Sequence, residues 1–177
     1  GGAVGEGEGG GVGGGGGGSK RSGGAAALVR GGVAPQGLDA ERVLLGCVLR
    51  DNMVINELVR MIKVDQFYSD KHQKIYQSMV TLSELSKPID PVTLGEQLNS
   101  GGLLVEVGGA PTLIELYQQT LSSANWRHYA DVVYEKAVVR NLIHVSNDIL
   151  RDAYEGTSSA DDLLAEAERQ IMDIASS

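Results

Sequence analysis

Cysteine is nearly absent from this 177-residue chain. Cys47 stands alone, so no disulfide framework can brace it, and its apolar helical surroundings predict a buried structural thiol. Long apolar runs are missing as well. None approaches the roughly 18 residues of a membrane span and no signal-peptide core precedes the foldable part, so no membrane partner and a cytoplasmic location are expected. Histidine is scarce, and His72, His128 and His144 have no second ligand at a spacing typical of metal sites. His72 lies two residues from Asp70, a spacing at which helical side chains do not face each other. Asp161 and Asp162 sit where they favour the dipole of a helix start. Nothing here forms a catalytic constellation, so catalytic, cofactor-binding and metal residues are expected to be none in this chain.

Glycine and charge divide the chain. Eighteen of the 25 glycines fall within residues 1–37, where large apolar side chains are almost lacking. Such a segment cannot offset its ordering entropy by burial, so residues 1–37 are predicted to be a disordered tail and 38–177 the foldable body. Gly9, Gly11 and Gly14, and the stretch Gly13 to Lys20, superficially resemble phosphate-binding loops, but no strand leads in and no helix follows. The body carries 12 basic and 21 acidic residues. Arg127, Lys136, Arg140 and Arg151 alternate with Asp131, Glu135, Asp148, Asp152 and Glu155, a poor grip for a phosphate backbone.

Convincing strand alternation is absent and helical signals dominate. Asp39 can cap a helix over 40–49, and a second follows Asp51 and Asn52 through Met61, with Val54, Leu58 and Met61 inward. Ser69 can cap a third over 70–85 with His72, Ile75, Tyr76, Met79 and Leu82 on one side. Asp90 before Pro91 is a clean start for a helix to Asn99, and another spans 111–120. The fold class is therefore all-α: a globular head of short helices over 38–122, then a helical hairpin over 123–177.

The hairpin carries the candidate site. Neither Pro nor Gly interrupts 125–155, which predicts a helix of roughly 45 Å at about 1.5 Å per residue. Val132, Val139, Ile143, Leu150 and Tyr154 form one apolar stripe; Val138, Leu142, Val145 and Ile149 form a second. A returning helix over 159–175 offers Leu164, Ala167, Ile171 and Ile174 as a seam. One stripe can take that seam. The other needs a different surface, either the head or another molecule, so Val132, Val138, Val139, Leu142, Ile143, Val145, Ile149, Leu164 and Ile171 are the candidate self-association residues.

In order along the body, the landmarks are Pro35-Gln36-Gly37-Leu38-Asp39-Ala40-Glu41 with Leu45-Gly46; Phe67-Tyr68 with His72, Ile75 and Tyr76; Pro88-Ile89-Asp90-Pro91-Val92-Thr93; Gly102-Leu103-Leu104 with Gly108-Gly109-Ala110; and Ser123-Ala124-Asn125 with Tyr129-Ala130, Val132-Val133 and Glu135-Lys136. Over about 140 residues this resembles the N-terminal domain of DnaB-type replicative DNA helicases. The resemblance implies a helical head on a helical hairpin, hairpins paired between subunits, and three pairs forming a collar on a hexameric ring where a DnaG-type primase docks. A helicase loader is a further candidate partner. It also implies a RecA-like motor, using ATP and Mg and contacting DNA, that lies beyond this chain. The glycine-rich tail, Gly37 where Asn or Asp is commoner, and Pro111-Thr112 in place of a tyrosine-containing pair depart from the pattern and bear on the primase contact, not on the fold.

Two other readings use the same residues. The helicase-binding C-terminal domain of a primase resembles this fold and also ends in a helical hairpin, and a free-standing helical adaptor would lack a motor. Because the chain begins with Gly and stops close to a helix end, it is expected to be a fragment of a larger protein.

Overall fold

The computed structural model describes residues 2, 4–5 and 32–176. The chain divides into two compact units, residues 1–33 and 34–177. Most of the expected tail, and both glycine motifs, lie outside the described residues. In the second unit the elements are α1 (Leu38–Arg50), α2 (Val54–Met61), a 3-10 turn (Val64–Gln66), α3 (Asp70–Glu84), α4 (Pro91–Ser100), α5 (Gly109–Gln119), α6 (Trp126–Glu155) and α7 (Ala160–Ala175). Among the described residues there is no strand, and the architecture is the all-α head and hairpin that the sequence pattern predicts.

Side-chain caps explain three of the seven α-helix starts. Asp90 accepts from the amides of Val92 and Thr93, both at 2.8 Å, while the Thr93 hydroxyl returns to the Asp90 amide at 3.0 Å, a capping box ahead of Pro91. Ser69 caps α3 through the His72 amide, and Ser159 caps α7 through that of Asp162. Two expected helix starts need correction. Gly37, not Asp39, is the residue before α1, because its carbonyl already accepts from the Glu41 amide at 2.9 Å; Asp39 lies in the first turn, paired with Arg42. Helix α5 begins at Gly109, two residues before Pro111, which still sits in the first turn where its missing N–H is not needed. By contacts, residues 34–37 group with the second unit.

The core gathers Leu44, Leu45 and Val48 of α1, Leu58 of α2, Ile75, Tyr76 and Met79 of α3, Leu94 and Leu98 of α4, and Leu113 of α5. Phe67 joins them, its ring centroid 4.8 Å from that of Tyr76, whose buried hydroxyl donates to the Ile62 carbonyl at 2.8 Å. In α2, Ile55 is buried and Met61 only half so, the reverse of the expected emphasis. Helix α6 closes the core with Ala130 and Val133, and Ala137 is buried one turn on. This head-facing side of α6 shares only Val132 with the two expected stripes. Alanine contributes little to a hydrophobicity pattern, yet it lets the helix approach the head closely.

Candidate assembly interface

Beyond residue 140 the long helix leaves the head and pairs with α7. Its C-terminal end is closed by Gly156 in the left-handed region, φ 66°, a conformation that disfavours any residue with a Cβ. On α7 the half-buried positions are Leu163, Ala167, Gln170 and Ile174, so the seam lies one residue away from the expected Leu164 and Ile171. Those two are exposed at 68% and 47%. Ala167 and Ile174 of the expected seam are half-buried, and the doublet Leu163-Leu164 satisfies either register, which is why periodicity alone misplaces Leu164.

The structure sorts the candidate residues into three groups. Val132 packs against the head core and is not available to another subunit. Val138, Val145 and Ile149 are half-buried along the hairpin. Val139, Leu142, Ile143, Leu164 and Ile171 are exposed, as is Leu150. At 3.6 residues per turn, Val139, Leu142, Ile143, Ser146 and Leu150 project within about 100° of arc on α6.

These exposed residues share one flank of the hairpin. A groove of about 210 Å³ between the helices is lined by Asn141, His144 and Val145 of α6 and by Gln170, Asp173 and Ile174 of α7. Gln170 and Asp173 thus belong to the side of α7 that looks toward Asn141 and His144. Leu164 and Ile171, displaced by about 140° around α7, emerge on the opposite side, the one carrying Leu142. The hairpin therefore has an apolar flank and a polar one. On the polar flank Asp148 lies 3.1 Å from Arg151 and 3.4 Å from His144, and Arg169 bridges Glu166 and Asp173. The Arg169 hydrogen bond holds the Glu166 carboxyl below its ordinary range. Exposed pairs of this kind add little to stability and chiefly keep the flank hydrated.

Four polar residues that periodicity does not single out tie the head together, and one of them, Arg140, ties the long helix to it. Glu41, 1% exposed, accepts from the amides of Tyr68 at 2.8 Å and Ser69 at 3.3 Å and from His72 Nδ1 at 2.8 Å, tying α1 to the start of α3. Its signal in the sequence is a carboxylate on the buried stripe of Leu44, Leu45 and Val48, where burial demands partners. Asn52 brackets Ile89 by donating to its carbonyl at 2.7 Å and accepting from its amide at 2.8 Å. Arg50 donates to the carbonyls of Tyr117 and Thr120 at the end of α5 and stacks 3.6 Å from the Tyr117 ring centroid. Arg140 donates to the carbonyls of Pro35 at 2.8 Å and Gln66 at 2.9 Å.

A pocket of about 130 Å³ on the head is lined by Arg42, Lys71, His72, Thr112 and Glu115 among others. A shallow apolar groove of about 400 Å³ between α4 and α5 is lined by Val92, Leu104 and Ile114 among others. Among the described residues no cluster of three potential metal ligands occurs, and no helix is long and apolar enough to cross a membrane.

Known proteins share this fold. The sequence profile of the DnaB-like helicase N terminal domain matches residues 33–135. The chain is 34% identical over 148 residues to the replicative DNA helicase DnaC of Bacillus subtilis (strain 168), covering 84% of this chain and 33% of that protein. It is 34% identical over 142 residues to the replicative DNA helicase DnaB of Geobacillus stearothermophilus, covering 80% and 31%. It thus spans about a third of the length of these curated relatives. The crystal structure of the N-terminal domain of DnaB helicase from Mycobacterium tuberculosis superposes with a TM-score of 0.75 at 31% identity, covering 80% of this chain and 99% of that one. A DnaB-like replicative helicase, described with its interactions with primase, shares the fold at a TM-score of 0.64 and 24% identity, over 76% of this chain and 31% of that one. The matched family lies on the helicase side, which sets aside the primase-domain reading. From its profile, its relatives and its fold, the chain belongs to the family of DnaB-like helicase N-terminal domains.

Proposed function

We propose that this domain holds subunits of a replicative DNA helicase together and presents a docking surface to a DnaG-type primase. The observation that carries the reading is the apolar flank of the hairpin: Val139, Leu142, Ile143 and Leu150 are 37–45% exposed on α6, with Leu164 and Ile171 beside them. A single hairpin leaves that flank in water. A second copy offers an identical flank, and a two-fold contact of this kind is self-complementary by construction. In this reading hairpin pairs build a hexamer, and a helicase loader is a further partner. ATP, Mg and DNA are handled by a motor in the part of the relatives that this chain does not span, and the assembly works in the cytoplasm.

Light scattering over a concentration series tests the assembly step. The chain is expected to exceed its monomer mass, and Ile143→Asp, which would place an unpaired charge in the contact, is expected to return it to monomer with unchanged circular dichroism. A wild-type chain that stays monomeric at the highest concentration would refute the assignment of this flank.

A further inference from the structure

We propose that Arg140 is a latch that fixes the direction in which the hairpin leaves the head and couples that direction to residues 34–37, the segment leading into α1. Along α6 the head is gripped by Ala130, Val133 and Ala137, all buried, and then by Arg140. After Arg140 the next four residues, Asn141 to His144, are all exposed. Arg140 is thus the head's outermost hold before the hairpin stands free.

The grip is built from two separate pieces of backbone. One guanidinium nitrogen donates to the Pro35 carbonyl at 2.8 Å and the other to the Gln66 carbonyl at 2.9 Å, while the guanidinium carbon lies 5.3 Å from the Tyr68 ring centroid. The planar fork reaches two acceptors at once, which a lysine's point charge does not reproduce. The Gln66 segment is held in its own right. Gln66 sits in a turn closed by its side chain on the Lys63 amide at 2.7 Å, and Tyr68 is anchored through Glu41. The leading segment runs along α6: a Cβ at Gly37 would meet Val132 at 3.2 Å and Lys136 at 3.9 Å, and Pro35 reaches Arg140 further along the same helix.

A hold at this place acts on a lever. The 15 residues from Arg140 to the end of α6 span about 22 Å, so a swing of about 10° at Arg140 carries the hairpin tip through about 4 Å. The apolar flank moves with it. Whatever displaces residues 34–37 therefore changes how the flank is presented, and by reciprocity fixing the flank steadies that segment.

Spin labels at Glu84→Cys on the head and Ser158→Cys at the hairpin turn, diluted with unlabelled chain, read this geometry as a distance distribution. Cys47 is buried and does not compete for label. Arg140→Met and a chain starting at Gly37, which removes the Pro35 acceptor and leaves Arg140 in place, are each expected to broaden the distribution by about 4 Å or more. Arg140→Lys is expected to behave like Arg140→Met. A residue that only stabilised the fold would lower the melting temperature with no change in the distribution. A distribution of wild-type width in the truncated chain, or in a folded Arg140→Met, would overturn the proposal.

Discussion

Gly46→Ala tests how closely α1 and α5 are packed. A Cβ built at Gly46 lies 2.0 Å from the Thr120 hydroxyl oxygen, 2.6 Å from its Cβ and 2.8 Å from the Leu116 carbonyl oxygen. Rotating Thr120 relieves the first contact alone, because the other two atoms are fixed by the backbone of α5. The helices must then part by roughly half an ångström, loosening Leu44, Leu45 and Leu113, all fully buried. Overpacking of this kind costs about 1–3 kcal/mol. Alanine's better helix propensity returns about 1 kcal/mol, leaving a net loss of up to about 2 kcal/mol and a melting temperature lower by up to about 5 °C. Gly95→Ala is the control, since its Cβ would meet only Leu113 at an ordinary 3.7 Å and should gain the propensity term without the clash. Thermal and urea unfolding followed by circular dichroism measure both. A Gly46→Ala midpoint at or above wild type would refute the packing argument, and a Gly95→Ala midpoint that fell equally far would show that it is not about contact.

Two further outcomes follow from buried polar groups in the head. Glu41→Ala leaves the Tyr68 and Ser69 amides and the His72 ring without their acceptor, and at about 1–3 kcal/mol per orphaned group a loss of about 3 kcal/mol or more is expected in urea unfolding; an unchanged midpoint would contradict the bridging role. Burial raises the Cys47 thiol from 9.0 to about 11, so the folded chain keeps a proton that the unfolded chain gives up. The resulting stability is fully present below pH 9 and is lost as pH rises toward 11, and a thiol reagent at pH 8 should label Cys47 only as fast as the chain opens. Immediate labelling of the native protein would contradict it.

Helix existence was legible where side chains speak locally. Asp90-Pro91 and Ser69 mark starts through caps that depend on three or four neighbouring residues, and the structure repeats them. What was not legible depends on partners far along the chain. Glu41 meets residues 27 to 31 positions away, Arg50 meets carbonyls 67 and 70 positions away, and Arg140 reaches back 105 positions to Pro35. No window of sequence holds both halves of such contacts. A buried-stripe carboxylate such as Glu41 at least announces the need for a partner, whereas Arg140, on a helix of alternating charges, looks like any solvated residue.

The hairpin shows the same limit in its packing. Val138-Val139, Leu142-Ile143, Ile149-Leu150 and Leu163-Leu164 are apolar doublets, and each supplies one member to two adjacent helical stripes. Periodicity therefore establishes that α6 and α7 have more apolar surface than one hairpin seam can cover, but not which member of each doublet lies in the seam. That choice is made at the head. Ala130, Val133 and Ala137 dock one side of α6, Arg140 holds the helix where it departs, and Val145 then faces Gln170, Asp173 and Ile174 of α7. Val139, Leu142, Ile143 and Leu150 are left outside. The free flank is thus a consequence of how the head holds the helix. A substitution at Arg140, which touches none of these four residues, should change self-association by altering how the flank is presented. Light scattering of Arg140→Met beside Ile143→Asp checks this: if the flank works as an isolated patch, only the second variant weakens assembly.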